Sequence, residues 1–113
     1  MSTELGARAE ELAADYLESL DFTILGRNHR TRWSELDIVA EKDGTIHMIE
    51  VKYRSNPNYG TGFEYITADK LGRLTRAAEA LMAHRDQPYQ IDVVAVSGDL
   101  DHPSLNLIEN ITA

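Results

Sequence analysis

Asp43-Gly44, set between two segments of alternating apolar and polar residues, constrains this chain more than any other feature of its sequence. Asp-Gly is a two-residue hairpin signal, because both central positions of the favoured turn need a positive φ. Before it, residues 35–41 alternate, with Leu36, Ile38 and Ala40 expected on one face and Glu35, Asp37 and Val39 on the other. After it, Ile46, Met48, Glu50 and Lys52 share one face, and Ile49 and Val51 take the opposite one. The register depends on the turn length, since a three-residue loop would put Asp37 out of phase with Glu50. With Asp43-Gly44 as a two-residue turn, Asp37 is expected directly opposite Glu50, and Glu35 opposite Lys52.

The other elements follow from periodicity. Leu5, Ala9, Leu12, Ala13, Tyr16, Leu17 and Leu20 recur at helical spacing, which predicts an amphipathic helix over residues 4–20 capped by Ser2 or Thr3. Phe22 to Leu25 is a short β-prone run, followed by the polar, basic stretch Arg27-Asn28-His29-Arg30-Thr31-Arg32. Asn56-Pro57-Asn58 and Gly60-Thr61-Gly62 mark a loop. A second helix is expected over residues 67–84, with Thr67 as its cap and Leu71, Leu74, Ala78, Leu81 and Met82 as its buried stripe. Gln90 to Val96 reads as a mostly buried strand, and Leu105 to Ile111 as a weaker edge strand. The order α-β-β-β-α-β-β describes an α/β fold, a mixed sheet flanked by helices, with the hairpin near its centre.

Size and composition narrow the class. A chain of 113 residues fits one domain with one core. No apolar run approaches the roughly 20 residues that span a bilayer, so no membrane association is expected, and no secretory leader is evident. Without cysteine there is no disulfide framework, thiolate zinc site or cysteine nucleophile, and a cytoplasmic location is the default. The formal net charge of −8 argues against a general nucleic-acid coat protein. The charge is segregated, however. Glu4, Glu10, Glu11, Asp15, Glu18 and Asp21 crowd the first helix, whereas most basic residues fall between Arg27 and Arg76.

Directly paired strand residues have Cβ atoms about 4.5–5.5 Å apart, and like charges so placed are destabilising unless a cation lies between them. Asp37 and Glu50 therefore make a candidate site for Mg²⁺ or Mn²⁺, which binds through one or two carboxylates and keeps positions for water and phosphate oxygens. Lys52 stands two residues beyond Glu50 on the same face, where an ammonium could orient or deprotonate an attacking water or stabilise charge on a phosphate. A Glu-x-Lys on a strand is commonly a solvated face or an ion pair. A central strand seldom carries such charges without a reason.

Glu35-Leu36-Asp37-Ile38-Val39-Ala40, Ile49-Glu50-Val51-Lys52-Tyr53-Arg54, Lys70 and Asp92-Val93-Val94 together resemble the small bacterial family called UPF0102 or YraN. That family is similar to the Holliday-junction resolvases of the PD-(D/E)XK nuclease superfamily. The resemblance runs from about Gly6 to Val96 and implies a restriction-endonuclease-like core. It implies that Asp37 and Glu50 bind metal and that Lys52 is the catalytic lysine. It is also the main reason to choose Glu10 over Glu11 as an additional site residue, since the two lie about 100° apart on a helix. Glu35 matches the glutamate before the aspartate, and Lys70 a basic residue of the second helix. Ala9 and Ser34 stand where the family usually has glycine, and Gln90 where it often has arginine.

Arg27, Arg30, Arg32 and Arg54 flank the proposed centre and suit phosphate contact; they would equally serve as a solubilising surface. Lys70 and Arg73 share a helix face, with Arg76 nearby, and have the same two readings. Tyr59 and Phe63 could stack on exposed bases or anchor their loop. His29, His47, His84 and His102 are scattered without metal-ligand spacing, and Asp92 is expected to take a hydrogen bond or a basic partner. The expectation is Mg²⁺- or Mn²⁺-dependent cleavage of DNA, with branched or structured DNA preferred by resemblance. Symmetrical junction cleavage would need a homodimer, and a protein partner could supply the basic surface this acidic chain lacks. The alternatives are a nucleic-acid-binding module that does not cut and a protein-interaction domain.

Overall fold

A computed structural model describes residues 4–55 and 66–112. Along the chain run α1 (Glu4–Ser19), β1 (Thr23–Arg30), β2 (Glu35–Lys42), β3 (Thr45–Arg54), α2 (Ala68–Met82), β4 (Tyr89–Ser97) and β5 (Ser104–Ile108). The five strands form one sheet in the order β1-β2-β3-β4-β5. All neighbours are antiparallel except β3 and β4, which run parallel with α2 as the crossover between them. This is the expected α/β layout, and β3 is the central strand.

Each helix covers one face of the sheet. Ala9, Ala13, Ala14 and Leu17 of α1 pack with Phe22, Ile38, Ala40, Ile49, Val94 and Val96. Leu74, Ala77, Ala78 and Met82 of α2 pack with Leu36, Val39, Ile46, Met48 and Ile91 on the other face. With both faces covered, β4 reads as a nearly continuous apolar run rather than an alternating one. Its one buried charged residue, Asp92, accepts from Gln90 Nε2 and from the Asn110 backbone N–H, each at 2.8 Å, and lies 2.5 Å from His47 Nδ1.

The ends of both helices are chemically explicit. Beyond α1, the Phe22 N–H bonds the Leu17 carbonyl and the Asp21 N–H bonds that of Glu18, a Schellman closure with Asp21 in the left-handed region at φ 71°. Thr67 caps α2 as expected, its hydroxyl accepting the Lys70 N–H at 3.1 Å. Asp43 and Gly44 both have positive φ, 52° and 82°, as the hairpin required.

The structure differs from the sequence reading in three places. The basic stretch after Leu25 is largely strand, since β1 continues to Arg30; an edge strand with one neighbour tolerates polar side chains on both faces. Leu36 packs with the α2 cluster, not with Ile38 and Ala40, because the pairing of β2 with β3 stops at Ile38 and the strand's faces turn beyond it. The last strand ends at Ile108, and Ile111 instead donates its N–H to the Ile91 carbonyl. Ser2, Thr3, Tyr59, Phe63 and the loop read from residues 56–62 lie outside the described residues.

Candidate metal centre

The two carboxylates meet where the hairpin opens. β2 and β3 pair from Lys42 opposite Thr45 to Ile38 opposite Ile49, so the register is the one that places Asp37 against Glu50. One step further, Asp37 Oδ2 accepts the Val51 N–H at 2.9 Å, a side chain taking a bond that a backbone carbonyl would otherwise supply. Glu50, on the same face as Met48, is 4% exposed beneath the start of α2.

Helix residues approach this opening from both sides. Lys70, in the capped first turn of α2, places Nζ 3.4 Å from Glu50 Oε2 and donates to Ser34 Oγ at 3.2 Å. Glu10 comes from α1. The Asn28 amide, oriented with its nitrogen toward the carboxylates, donates to Glu10 Oε1 at 2.8 Å and to Glu35 Oε1 at 3.0 Å. Asn28 has φ 52° and interrupts the pairing of β1 between Arg27, opposite Ile38, and His29, opposite Leu36. That kink lies across from Asp37.

The electrostatics carry the mark of crowded negative charge. Burial, and then the adjoining Glu50 carboxylate, push Asp37 from the ordinary carboxylate range up to about 8, against the opposing pull of the Val51 N–H and Lys70. Glu10 is also raised, by burial first and then by Asp37 and Glu35, with Arg27 and Asn28 acting the other way. Glu50 Oε2 is buried and accepts no hydrogen bond among the described residues; the nearby Lys70 ammonium is an ion-pair partner but is not aimed as a donor. Buried acceptors of this kind are rare and call for a missing partner. A cluster of hard oxygen donors with one buried lone pair unclaimed fits a small divalent cation such as Mg²⁺ or Mn²⁺.

Asp37, Glu50 and Glu10 are thus brought together. Lys52 is half-buried two residues beyond Glu50 and has no ion-pair partner among the described residues. The arginines are more dispersed. Arg27 pairs with Glu11 at 2.9 Å and Arg30 with Glu35 at 3.3 Å, both at exposed positions. Arg32 lies over the Trp33 ring at 5.2 Å, Arg54 ends β3, and Arg73 pairs with Asp69 at 3.3 Å. Lys70 is drawn into the centre rather than displayed with Arg73 as a basic face.

Sequence reasoning missed Asn28, Ser34 and the counter-ion position of Lys70. Asn is among the few residues that tolerate positive φ, and that property was the only available signal for Asn28. Reasoning from spacing also missed that His47, Asp92 and Glu109 bring ligand atoms within 4.8 Å of one another. Both oxygens of Asp92 already have protein partners, and His47 is stacked edge-on against Phe22. We read that group as a core clasp holding the chain after β5. A pocket of about 170 Å³, lined by Leu25, Val39, Ile46, Leu81 and Met82 among others, contains none of the candidate carboxylates.

Comparison with known proteins places this site in a family context. Residues 9–96 match the family described as "Uncharacterised protein family UPF0102". A UPF0102 protein of Syntrophomonas wolfei is 47% identical over 78 residues, covering 69% of this chain and 68% of the relative. One from a Sulfurihydrogenibium species is 35% identical over 100 residues, covering 86% and 87%. One from Thermus thermophilus is 38% identical over 93 residues, covering 82% and 83%. The matched segment contains Glu10, Asp37, Glu50, Lys52 and Lys70.

Proposed function

The chain belongs to the UPF0102 family, also called YraN, and from that premise we propose that it is a divalent-metal-dependent endonuclease hydrolysing phosphodiester bonds in DNA. The observation that carries this reading is the pair Asp37 and Glu50 at the mouth of a splayed hairpin, with Glu50 Oε2 buried and without a hydrogen bond. Asp37 and Glu50 would hold Mg²⁺ or Mn²⁺. A bound cation of that kind lowers the pKa of a coordinated water and polarises a phosphate oxygen.

The remaining work falls to side chains. Lys52, on the Glu50 face and free of an ion-pair partner among the described residues, is placed to orient the attacking water or to stabilise charge on the phosphate. Glu10, tied to Glu35 through Asn28, closes the carboxylate cluster from the α1 side. Arg32 and Arg54 flank the centre, and Arg27, Arg30 and Arg73 would exchange carboxylate partners for substrate phosphates. Branched or structured DNA is the substrate favoured by the resemblance to junction resolvases, and a cytoplasmic site of action goes with that reading.

Calorimetric titration with Mg²⁺ and Mn²⁺ tests the centre. The native chain is expected to bind. Asp37→Asn, which keeps an acceptor for the Val51 N–H, and Glu50→Ala are expected to lose at least about ten-fold in affinity with the fold intact by circular dichroism. Absence of metal binding by the native chain, even with a DNA four-way junction present, would overturn the catalytic reading.

A further inference from the structure

Three observations converge on Lys70. Its ammonium is the positive group that stands against Glu50, at 3.4 Å from Oε2, yet it makes no hydrogen bond to that oxygen. Its backbone is fixed, because its N–H is the one that the Thr67 cap accepts. Its side chain is 27% exposed, against 4% for Glu50, and among the described residues its one side-chain hydrogen bond is to the Ser34 hydroxyl. A flexible four-carbon stem on a pinned backbone, held by one neutral hydrogen bond and one misaligned ion pair, can swing without disturbing the helix.

We infer that Lys70 is the resident cation of the metal-free centre: its ammonium neutralises Glu50 until a divalent ion displaces it, and the displaced ammonium then serves the phosphate of the substrate. This rests on the metal-site reading above and adds to it a residue that sets metal affinity. An ammonium and a divalent ion compete for Glu50 Oε2, because two cations at that separation repel, and beside a carboxylate as buried as Glu50 they do so more strongly than in water. Without Lys70, the buried Glu50 carboxylate would lack an ion-pair partner among the described residues. With it, the centre can fold before metal arrives, and metal must compete for its ligand.

Lys70 is therefore a positioning residue whose loss strengthens metal binding, opposite to what loss of a metal ligand does. Mg²⁺ titrations at one fixed ionic strength would compare the native chain with Lys70→Met and with Arg76→Met. The second variant removes a positive charge from the exposed side of the same helix. Lys70→Met is expected to bind Mg²⁺ about ten-fold more tightly, and Arg76→Met to stay within about two-fold of native. Should Lys70→Met not fold, Lys70→Gln keeps a polar partner for Ser34 and is expected to shift affinity in the same direction. Unchanged or weaker binding by the folded variant, while the native chain binds, would overturn the role of Lys70 and leave the metal centre standing. No binding by the native chain would overturn both. An equal gain in Arg76→Met would reduce the effect to general charge and would also overturn the inference.

Discussion

Burial and the neighbouring Glu50 carboxylate hold a proton on Asp37 well above the pH at which an aspartate normally loses it. The sign of the consequence is definite. The folded chain binds that proton up to about pH 8, while the unfolded chain releases it near the ordinary value of 3.8. The contribution to stability is therefore fully present below the unfolded value and is lost as pH rises through the folded one. Glu10, raised for the same reasons, adds in the same direction. We expect the metal-free thermal midpoint to fall between about pH 6 and about pH 8.5, by a loss on the order of 2 kcal/mol after allowance for solvent screening. In Asp37→Asn the slope should largely vanish, and saturating Mg²⁺ should flatten it in the native chain. A native midpoint that stays level over that window would contradict the proton on Asp37.

At the scale of elements, the turn closing α1 is the least comfortable piece of backbone. Asp21 occupies a left-handed position that favours glycine, and its negative charge stands at a helix C-terminus, where the macrodipole disfavours it. Asp21→Gly should stabilise the fold by about 0.5–1 kcal/mol, less whatever the freer unfolded chain takes back, as read from urea midpoints. A lower midpoint would mean that the Asp21 side chain is needed there. Element by element, legibility followed the strength of local chemistry. The Asp43-Gly44 turn, the pairing that sets Asp37 against Glu50, and the Thr67 cap were readable because short-range rules fix each of them. The extension of β1 to Arg30 was not, since a polar edge strand has no apolar alternation to reveal it. Leu36 misled because the hairpin pairing that fixes alternation ends at Ile38, and beyond it β2 is held by β1 alone. The place of Lys70 depends on how α2 lies over the sheet, and no spacing within the helix encodes that.

For the whole molecule, charge is the governing property. A net charge of −8 repels DNA at long range, and Arg27, Arg30 and Arg73 are engaged with carboxylates. On the nuclease reading, productive DNA binding then needs either those pairs to open or a second copy to double the basic surface. Light scattering on the chain with a four-way junction should give the mass of two chains per DNA, and the apparent affinity should fall steeply with salt. One chain per junction would rule out symmetrical cleavage. The bond from the Val51 N–H to Asp37 has a different reach. In the proposed centre one carboxylate is both a ligand and a rung of the sheet, so any change there other than to asparagine disturbs chemistry and backbone together. On the nuclease reading, lineages released from selection for cutting would meet no such penalty at Lys52. Decay of the activity should thus begin at the lysine and spare the aspartate, leaving inactive descendants that still carry half of the motif.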